Sequence, residues 1–330
     1  MFLTIIVSFF VTFLAMPFWI KKVRSIGLVW HDMNKPKKPK NVAGSGGLIV
    51  FFGFLLGVLL YVAISTFYFG NTDGTVRNIF AIFSVMFIAS IVGLVDDLFG
   101  WQKGGLSVRS RLVLIFFAAI PLMVINAGQS EVLGIQLGIF FPLLVIPFAV
   151  VGATTTFNFL AGYNGLEAGQ GILILSALSI VTFFTGSSWL SLIALCMVAA
   201  LVGFYIFNQN PAKVFPGDIL TYSVGALIAS IAIVGNIEKI ALFFFIPYIL
   251  EVILKVKGKI QMKGKEFAQN FGVPKKDGSL ELRYKKIYSV THLSLFILKK
   301  FKNKVYEKDV VYLIHAFQIL IIFMGFILFL

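Results

Sequence analysis

Cysteine, histidine and charged residues are all scarce in this chain. The 330 residues include one cysteine, Cys196, so no intramolecular disulfide and no metal site with two cysteine ligands can form. The three histidines, His31, His292 and His315, are far apart in the sequence, and we expect none of them to be a metal ligand. Only 13% of the residues are charged and 59% are hydrophobic, whereas a soluble domain is about one quarter charged. This balance indicates a membrane protein.

Long apolar stretches recur from one end of the chain to the other. A membrane-spanning helix needs about 20 mostly apolar residues. The sequence predicts about ten such helices, several of them short, at residues 2–20, 48–69, 79–95, 112–126, 138–156, 171–185, 189–207, 218–234, 240–256 and 310–330. The expected fold is therefore an all-α integral membrane protein with a single polytopic domain over residues 1–330.

The basic residues indicate how these helices are oriented. If the helices alternate in direction, every Lys and Arg except Arg77 and Lys239 falls on one side of the membrane. Cytoplasmic loops collect Lys and Arg, which predicts that both termini face outward and that the odd-numbered loops are cytoplasmic. The net charge of +14 does not indicate nucleic-acid binding, because these residues lie in juxtamembrane loops, where attraction to anionic membrane lipids explains them.

The ninth loop, residues 257–309, is the longest of the predicted cytoplasmic loops. Its Asp277-Gly278 pair lies between short alternating segments and predicts a small β-hairpin. Residues 287–301 have an apolar centre and a basic end, which predicts an amphipathic helix along the membrane surface.

Acidic residues are few, and most of them fall on the same predicted side as the basic ones. A carboxylate at a helix centre costs about 2.5 to 3.5 kcal/mol on insertion scales. The predicted helix centres are almost free of charge, which favours chemistry at the interface over transport through the membrane. Four inner acids lie at the ends of apolar helices among Gly and Asn, and we expect them to face one shared cleft: Asp96, Asp97, Glu167 and Asp218.

The first candidate motif is the Asp96-Asp97 pair at the end of the third helix. Adjacent carboxylates repel each other unless a cation, a proton or basic side chains offset them, so metal binding or general-base duty is a natural use. Arg109 and Arg111 follow, and guanidinium groups suit the oxygens of a diphosphate. The alternative is plain surface charge at a helix end.

Two further motifs come from the fifth and seventh loops. Residues 158–170 combine Asn oxygens, Glu167 and four glycines before an apolar helix, an arrangement that lets a ligand approach the backbone and the helix start. Residues 208–218 end in Asp218, which could also be an ordinary helix cap. Lys213 and Phe215 offer a phosphate contact and a stacking surface for a base.

Taken together, these strings resemble the polyprenyl-phosphate N-acetylhexosamine-1-phosphate transferases, ten-helix membrane enzymes with cytoplasmic active sites. Residues 158–170 are most similar to the string of the archaeal and eukaryotic dolichyl-phosphate enzymes, and residues 213–218 and the Asp96-Asp97 pair add support. The resemblance implies transfer of N-acetylhexosamine-1-phosphate, in the first place GlcNAc-1-phosphate, from a UDP-sugar such as UDP-GlcNAc to a polyprenyl or dolichyl phosphate. The resemblance further implies that UMP is released and that the product is the first lipid-linked intermediate of N-glycan assembly.

The resemblance also implies roles for single residues. Asn158 and Asp218 are similar to ligands of Mg²⁺, with Mn²⁺ as an alternative, and hard cations prefer such oxygen ligands. Phe215 is similar to an aromatic residue on which uracil stacks. The other implied assignments are Asp96 and Asp97 for phosphate chemistry, Arg111 in place of a phosphate-contacting Lys, Gly162 and Asn164 for the base, and Glu167, Lys213 and Lys35 for substrate binding. The family's Arg-His-Arg string in the ninth loop is missing here, and Lys263, Lys265 and Gln269 are the candidates for its task.

Several alternatives stay open at this point. Lysines of the first loop, Lys35 among them, fit phosphate binding and lipid attraction equally well. Asp97, or in second place Asp96, would deprotonate or orient the acceptor phosphate, and a covalent aspartyl-phosphate route is the alternative. A membrane transporter of nucleotide sugars or ions is the alternative function. A homodimer is compatible with the sequence.

Overall fold

The computed structural model describes residues 1–70, 74–129, 131–132, 135–263 and 267–330. Helices dominate, because a chain inside lipid must satisfy its backbone polar groups within each segment. The helices are α1 (Phe2–Ser25), α2 (Gly47–Phe67), α3 (Thr75–Lys103), α4 (Val108–Ala118), α5 (Ile120–Val124), α6 (Ile146–Phe159), α7 (Leu166–Phe184), α8 (Ser188–Asn208), α9 (Gly217–Val234), α10 (Glu238–Phe244), α11 (Ile246–Met262), α12 (Val290–Phe301) and α13 (Glu307–Phe329). A π-helical turn, Phe141–Val145, leads into α6.

Each predicted span coincides with a helix or a pair of helices. Within the described ranges, eight helical segments are long and apolar enough to cross a membrane: α1, α2, α3, α6 with its π-helical turn, α7, α8, α9 and α13. The remaining two predicted spans fall on the pairs α4/α5 and α10/α11, each interrupted just before Pro121 or Pro247, since proline has no backbone N–H to donate. The predicted all-α integral membrane fold is confirmed, whereas ten crossings and outward termini stay predictions.

Among the residues that the structure describes, three short antiparallel strand pairs lie outside the helices. The pairs are β1 (Val29–His31) with β2 (Lys40–Ala43), β3 (Glu131–Val132) with β4 (Ile135–Gln136), and β5 (Val273–Pro274) with β6 (Leu280–Glu281). The last pair is the hairpin predicted around Gly278, whose φ is +82°. The helix predicted to follow it is α12, which buries Leu295 and exposes Phe301. The hairpin of β1 and β2 was not predicted.

Helix α9 is held between α2 and α3 by close glycine contacts. A Cβ atom added to Gly93 of α3 would lie 2.5 Å from the carbonyl oxygen of Asp218. One added to Gly47 of α2 would lie 2.5 Å from the backbone nitrogen of Leu220. Because backbone atoms cannot rotate away, these glycines allow the approach that fixes the first turn of α9.

We therefore expect Gly93→Ala to force α3 and α9 apart. Such overpacking costs about 1 to 3 kcal/mol of unfolding free energy, which thermal unfolding in detergent would measure as a lower midpoint. Gly152→Ala in α6 is the matched control, because a Cβ there meets nothing within 4 Å. Equal unfolding midpoints for the two variants would contradict this account of the packing.

Candidate active site

The Asp96-Asp97 pair lies in the last two turns of α3, which continues past the predicted end of this span to Lys103, and its two carboxylates point to different partners. Asp97 accepts hydrogen bonds from the backbone N–H of Asp218 (2.8 Å) and from the hydroxyl of Ser45 (2.9 Å). Asp96 accepts from the backbone N–H of Leu106 (2.6 Å) and forms an ion pair with Arg111 (3.0 Å). The repulsion expected between adjacent acids is thus offset by separate donors, and the pair connects α3 to both α9 and α4.

Asp218 lies in the first turn of α9 and faces the same cluster. Its Oδ2 accepts from the Asn158 side-chain amide at 3.2 Å and lies 3.7 Å from the Arg111 guanidinium. No side-chain cap bond is present at the start of α9, where Pro216 is the N-cap residue, so the alternative reading of Asp218 as an ordinary cap is not what the structure shows. Arg111, 30% exposed, lies between Asp218 and Asp96.

A cavity of about 480 Å³ opens beside this cluster, and we call it the site cavity. Six of the predicted site residues line it: Asp97, Asn158, Gly162, Glu167, Phe215 and Asp218. Trp30, His31 and Asp32 of the first loop and Phe271 after α11 complete part of its wall. The prediction that these separate turns share one cleft therefore agrees with the geometry.

Phe215 is positioned by the first loop. Its backbone N–H donates to the carbonyl of Ala43 at 2.8 Å, and its carbonyl accepts from the N–H of Gly46 at 2.9 Å. These bonds fix the backbone on both sides of the ring, which is half-buried in the cavity wall. A ring held in this way offers a flat apolar surface without further ordering on binding.

The fifth loop turns sharply at Gly162 and Gly165, whose φ angles are +101° and +83°. The N–H of Gly162 donates to the buried carboxylate of Glu167 at 2.7 Å, so Glu167 shapes the loop. Asn270 closes the loop from the other side, donating to the carbonyls of Phe159 and Ala161, both at 2.8 Å. The predicted ninth loop therefore completes the cavity that the fifth loop begins.

The structure does not bring all the predicted residues to the site cavity. In the part of the chain that the structure describes, the cavity lining does not include Asp96, Arg111, Asn164, Lys35, Lys213 or Lys263. Asp96 and Arg111 are connected to it through the contact of Arg111 with Asp218, which does line the cavity. Asn164 is buried and donates a hydrogen bond to Asp32, and Lys35 forms an ion pair with Glu307. Lys213 and Lys263 are exposed. Lys265 lies outside the described residues. Their roles in substrate binding stay predictions.

Sequence reasoning missed several residues of this region, among them Ser45, Thr221 and Glu307. Ser45 and Thr221 line the cavity, and Thr221 donates to the Asn158 side-chain oxygen at 3.2 Å. A signal existed for both: Ser45 lies within the glycine string before α2, and Thr221 is three residues after Asp218 on the same helix face. Glu307 gave no signal, because it lies among the many charges of the predicted ninth loop.

The oxygen donors of the cluster suit a hard divalent cation. Among the described residues, no group of three or more His, Cys, Asp and Glu side chains is arranged to hold a metal ion. Asp96 and Asp218 nevertheless share the Arg111 guanidinium, and the Asp97 carboxylate accepts from the backbone N–H of Asp218, so this cluster of four residues has excess negative charge. A flip of the Asn158 side-chain amide, which exchanges its nitrogen and oxygen, would place the oxygen beside the Asp218 carboxylate. Amide oxygens and carboxylate oxygens are both ligand types that Mg²⁺ accepts.

Comparisons with known proteins give a family match and several relatives. Residues 79–236 match the sequence profile described as glycosyl transferase family 4. Over 92% of this chain and 90% of the relative, the sequence is 35% identical to a Saccharolobus solfataricus protein named "Putative UDP-N-acetylglucosamine--dolichyl-phosphate N-acetylglucosaminephosphotransferase". A Sulfolobus acidocaldarius protein of the same name is 32% identical over 81% of this chain and 80% of its own. A phospho-N-acetylmuramoyl-pentapeptide-transferase of Streptococcus thermophilus is 31% identical over 74% and 75%.

Proposed function

Because this chain belongs to glycosyl transferase family 4, we propose that it transfers N-acetylhexosamine-1-phosphate, in the first place GlcNAc-1-phosphate, from a UDP-sugar to a dolichyl or other polyprenyl phosphate. The observation that carries the proposal is the position of the Asp97, Asp218 and Arg111 cluster at one side of a cavity that also holds the Phe215 ring. Such a site accommodates a flat base and a charged diphosphate together. The archaeal relatives' names support this substrate pair.

In this function the site cavity binds the nucleotide. Phe215 stacks against uracil, and Gly162 lets the base approach the backbone closely. Arg111 has a partly exposed guanidinium that contacts the diphosphate oxygens. Mg²⁺, or Mn²⁺ in its place, would be held by Asp218 and Asn158 and would offset the charge of the diphosphate and of the leaving UMP.

The acceptor reacts on the same side of the cluster. A phosphate oxygen of the polyprenyl phosphate forms a bond to the sugar-bearing phosphorus, the bond from that phosphorus to UMP breaks, and UMP leaves with the electron pair. Asp97 lines the cavity whereas Asp96 does not, so we assign Asp97 to orient or deprotonate the acceptor. Asp96 holds Arg111 in place.

We also propose that the site faces the cytoplasm. The residues that surround it come from the first, third, fifth, seventh and ninth predicted loops, and these loops carry nearly all of the Lys and Arg residues. Loops rich in these residues stay on the cytoplasmic side. The isoprenoid tail of the acceptor would then lie in the surrounding bilayer, with its phosphate at the interface.

The direct test incubates the purified protein with dolichyl phosphate, Mg²⁺ and, in separate reactions, UDP-GlcNAc and UDP-GalNAc. We expect a lipid-linked sugar diphosphate and an equal amount of UMP. Chelation of divalent cations should lower the rate roughly 100-fold, and added Mg²⁺ should restore it. Flux of the nucleotide sugar into proteoliposomes without UMP release would instead identify a transporter.

A further inference from the structure

Glu307, the first residue of α13, contacts loops that are far from it in sequence. Its side chain is 3% exposed. Oε1 accepts from the backbone N–H of Asn164 at 2.8 Å and from the Asn34 amide at 3.4 Å. Oε2 forms an ion pair with Lys35, which also donates to Asn210 at 2.7 Å. One carboxylate therefore joins the first and fifth loops directly, and the seventh loop through Lys35.

The residues that Glu307 contacts reach the wall of the site cavity. The Asn34 amide also donates to the carbonyl of Gly162 at 3.1 Å. The Asn164 amide donates to Asp32 at 3.1 Å. Gly162 and Asp32 both line the cavity. Two carboxylates thus hold the fifth loop in addition to the Asn270 contacts, Glu167 at Gly162 and Glu307 at Asn164.

The burial of Glu307 needs a reason beyond its place at a helix start. A carboxylate in the first turn of a helix is favourable when it is exposed, and Asp309 already fills that role in α13 with a surface ion pair to Lys302. Burying a charged pair has a large desolvation cost, which the Glu307 contacts must offset. A loop with two glycines at positive φ would otherwise be free to move, and a preordered loop loses less entropy on binding.

We propose that Glu307, with Lys35 as its counter-charge, is a positioning residue that keeps the fifth-loop wall of the site cavity in its nucleotide-binding shape. The identity of the nucleotide rests on the proposed function. Lys35 in this arrangement neutralises Glu307 and does not bind the substrate phosphate.

The test measures nucleotide affinity separately from turnover. We expect Glu307→Gln to raise the Kd for UMP, measured by calorimetry, and the KM for the UDP-sugar about tenfold, through loss of preorganisation. The KM for polyprenyl phosphate should not change. Asp309→Asn is the matched control, since it removes a carboxylate from the same helical turn whose contacts are with Lys302 and the Tyr306 N–H and not with the first or fifth loop, and it should leave the UMP affinity unchanged.

A double variant distinguishes the two roles open to Lys35. Lys35→Met alone leaves the Glu307 carboxylate buried and unpaired, so it should weaken UMP binding at least as much as Glu307→Gln. If Lys35 only balances Glu307, the double variant Lys35→Met with Glu307→Gln should bind UMP better than Lys35→Met alone. Independent, multiplying losses would mean that Lys35 contacts phosphate itself, which would overturn its assignment. The double variant is also the one to measure should either single variant fail to fold.

Unchanged UMP affinity in Glu307→Gln, with only kcat or the unfolding temperature lowered, would overturn the positioning role. The wild-type protein separates this failure from failure of the proposed function. If the wild-type protein binds UMP and makes product, the proposed function holds whatever the variants do. If the wild-type protein does neither, the proposed function is wrong.

Discussion

Asp218→Ala should lower the rate of UMP release by roughly 10³-fold or more, because the change removes the carboxylate that faces both Asn158 and Arg111. The backbone of α9 should stay in place, since the Asp218 N–H still donates to Asp97. Asp218→Glu should retain some activity but need a higher Mg²⁺ concentration for its half-maximal rate, because the longer side chain shifts the oxygen ligands.

The control for Asp218 is Asp277→Asn. Asp277 is a carboxylate of the β5/β6 hairpin that pairs with Lys304 at the surface, away from the site cavity. A solvent-exposed ion pair contributes little to stability because water and salt screen it, so this variant should turn over at the native rate. An Asp218→Ala protein as active as this control would remove Asp218 from the chemistry and with it the proposed metal site.

Asp97→Asn should lower kcat by about 10² to 10³-fold with little change in the KM for the UDP-sugar. The amide keeps an oxygen for the Asp218 N–H and is nearly isosteric, so the loss reports the charge and not the fold. Asp96→Asn should instead raise the KM for the UDP-sugar, since Arg111 loses its 3.0 Å ion pair. A larger kcat loss in Asp96→Asn than in Asp97→Asn would mean that Asp96, and not Asp97, orients or deprotonates the acceptor.

The same preparation tests the covalent alternative. An aspartyl-phosphate route would release one equivalent of UMP from wild-type enzyme and UDP-sugar in the absence of acceptor, and Asp97→Asn would abolish that burst. Direct transfer, which we expect, gives no UMP until polyprenyl phosphate is added.

The helices and the centre of the site were predictable from the sequence for one reason. Hydropathy located each span, and alternation of the spans then put Asp97, Asn158 and Asp218 at the same end of the molecule. Residues next to helix ends on one side of a membrane are confined to the same end of the helix bundle. Their convergence is a matter of topology more than of detailed packing.

The contacts made by lysines and by Glu307 could not be predicted in the same way. A long Lys side chain reaches several partners at similar cost, so the sequence could not choose between a phosphate and Glu307 for Lys35. The ion pair joins residues that are 272 positions apart, and no local pattern reports such a distance. The helix breaks before Pro121 and Pro247 were not predicted, because a hydropathy pattern does not report the loss of a single backbone hydrogen bond.

The closing of the fifth loop by Asn270 and Glu307 has a consequence for biosynthesis. Chains emerge from the ribosome and enter the membrane from the N-terminus onward, so the aspartates, Asn158 and Phe215 are all in place before these last two anchors are translated. A ribosome-bound intermediate that stops after α11 would carry the residues proposed for catalysis. It would lack Asn270 and Glu307, whose side chains hold the fifth loop in place. On the proposed role of Glu307, the nascent enzyme would therefore bind nucleotide weakly until its final helix is inserted.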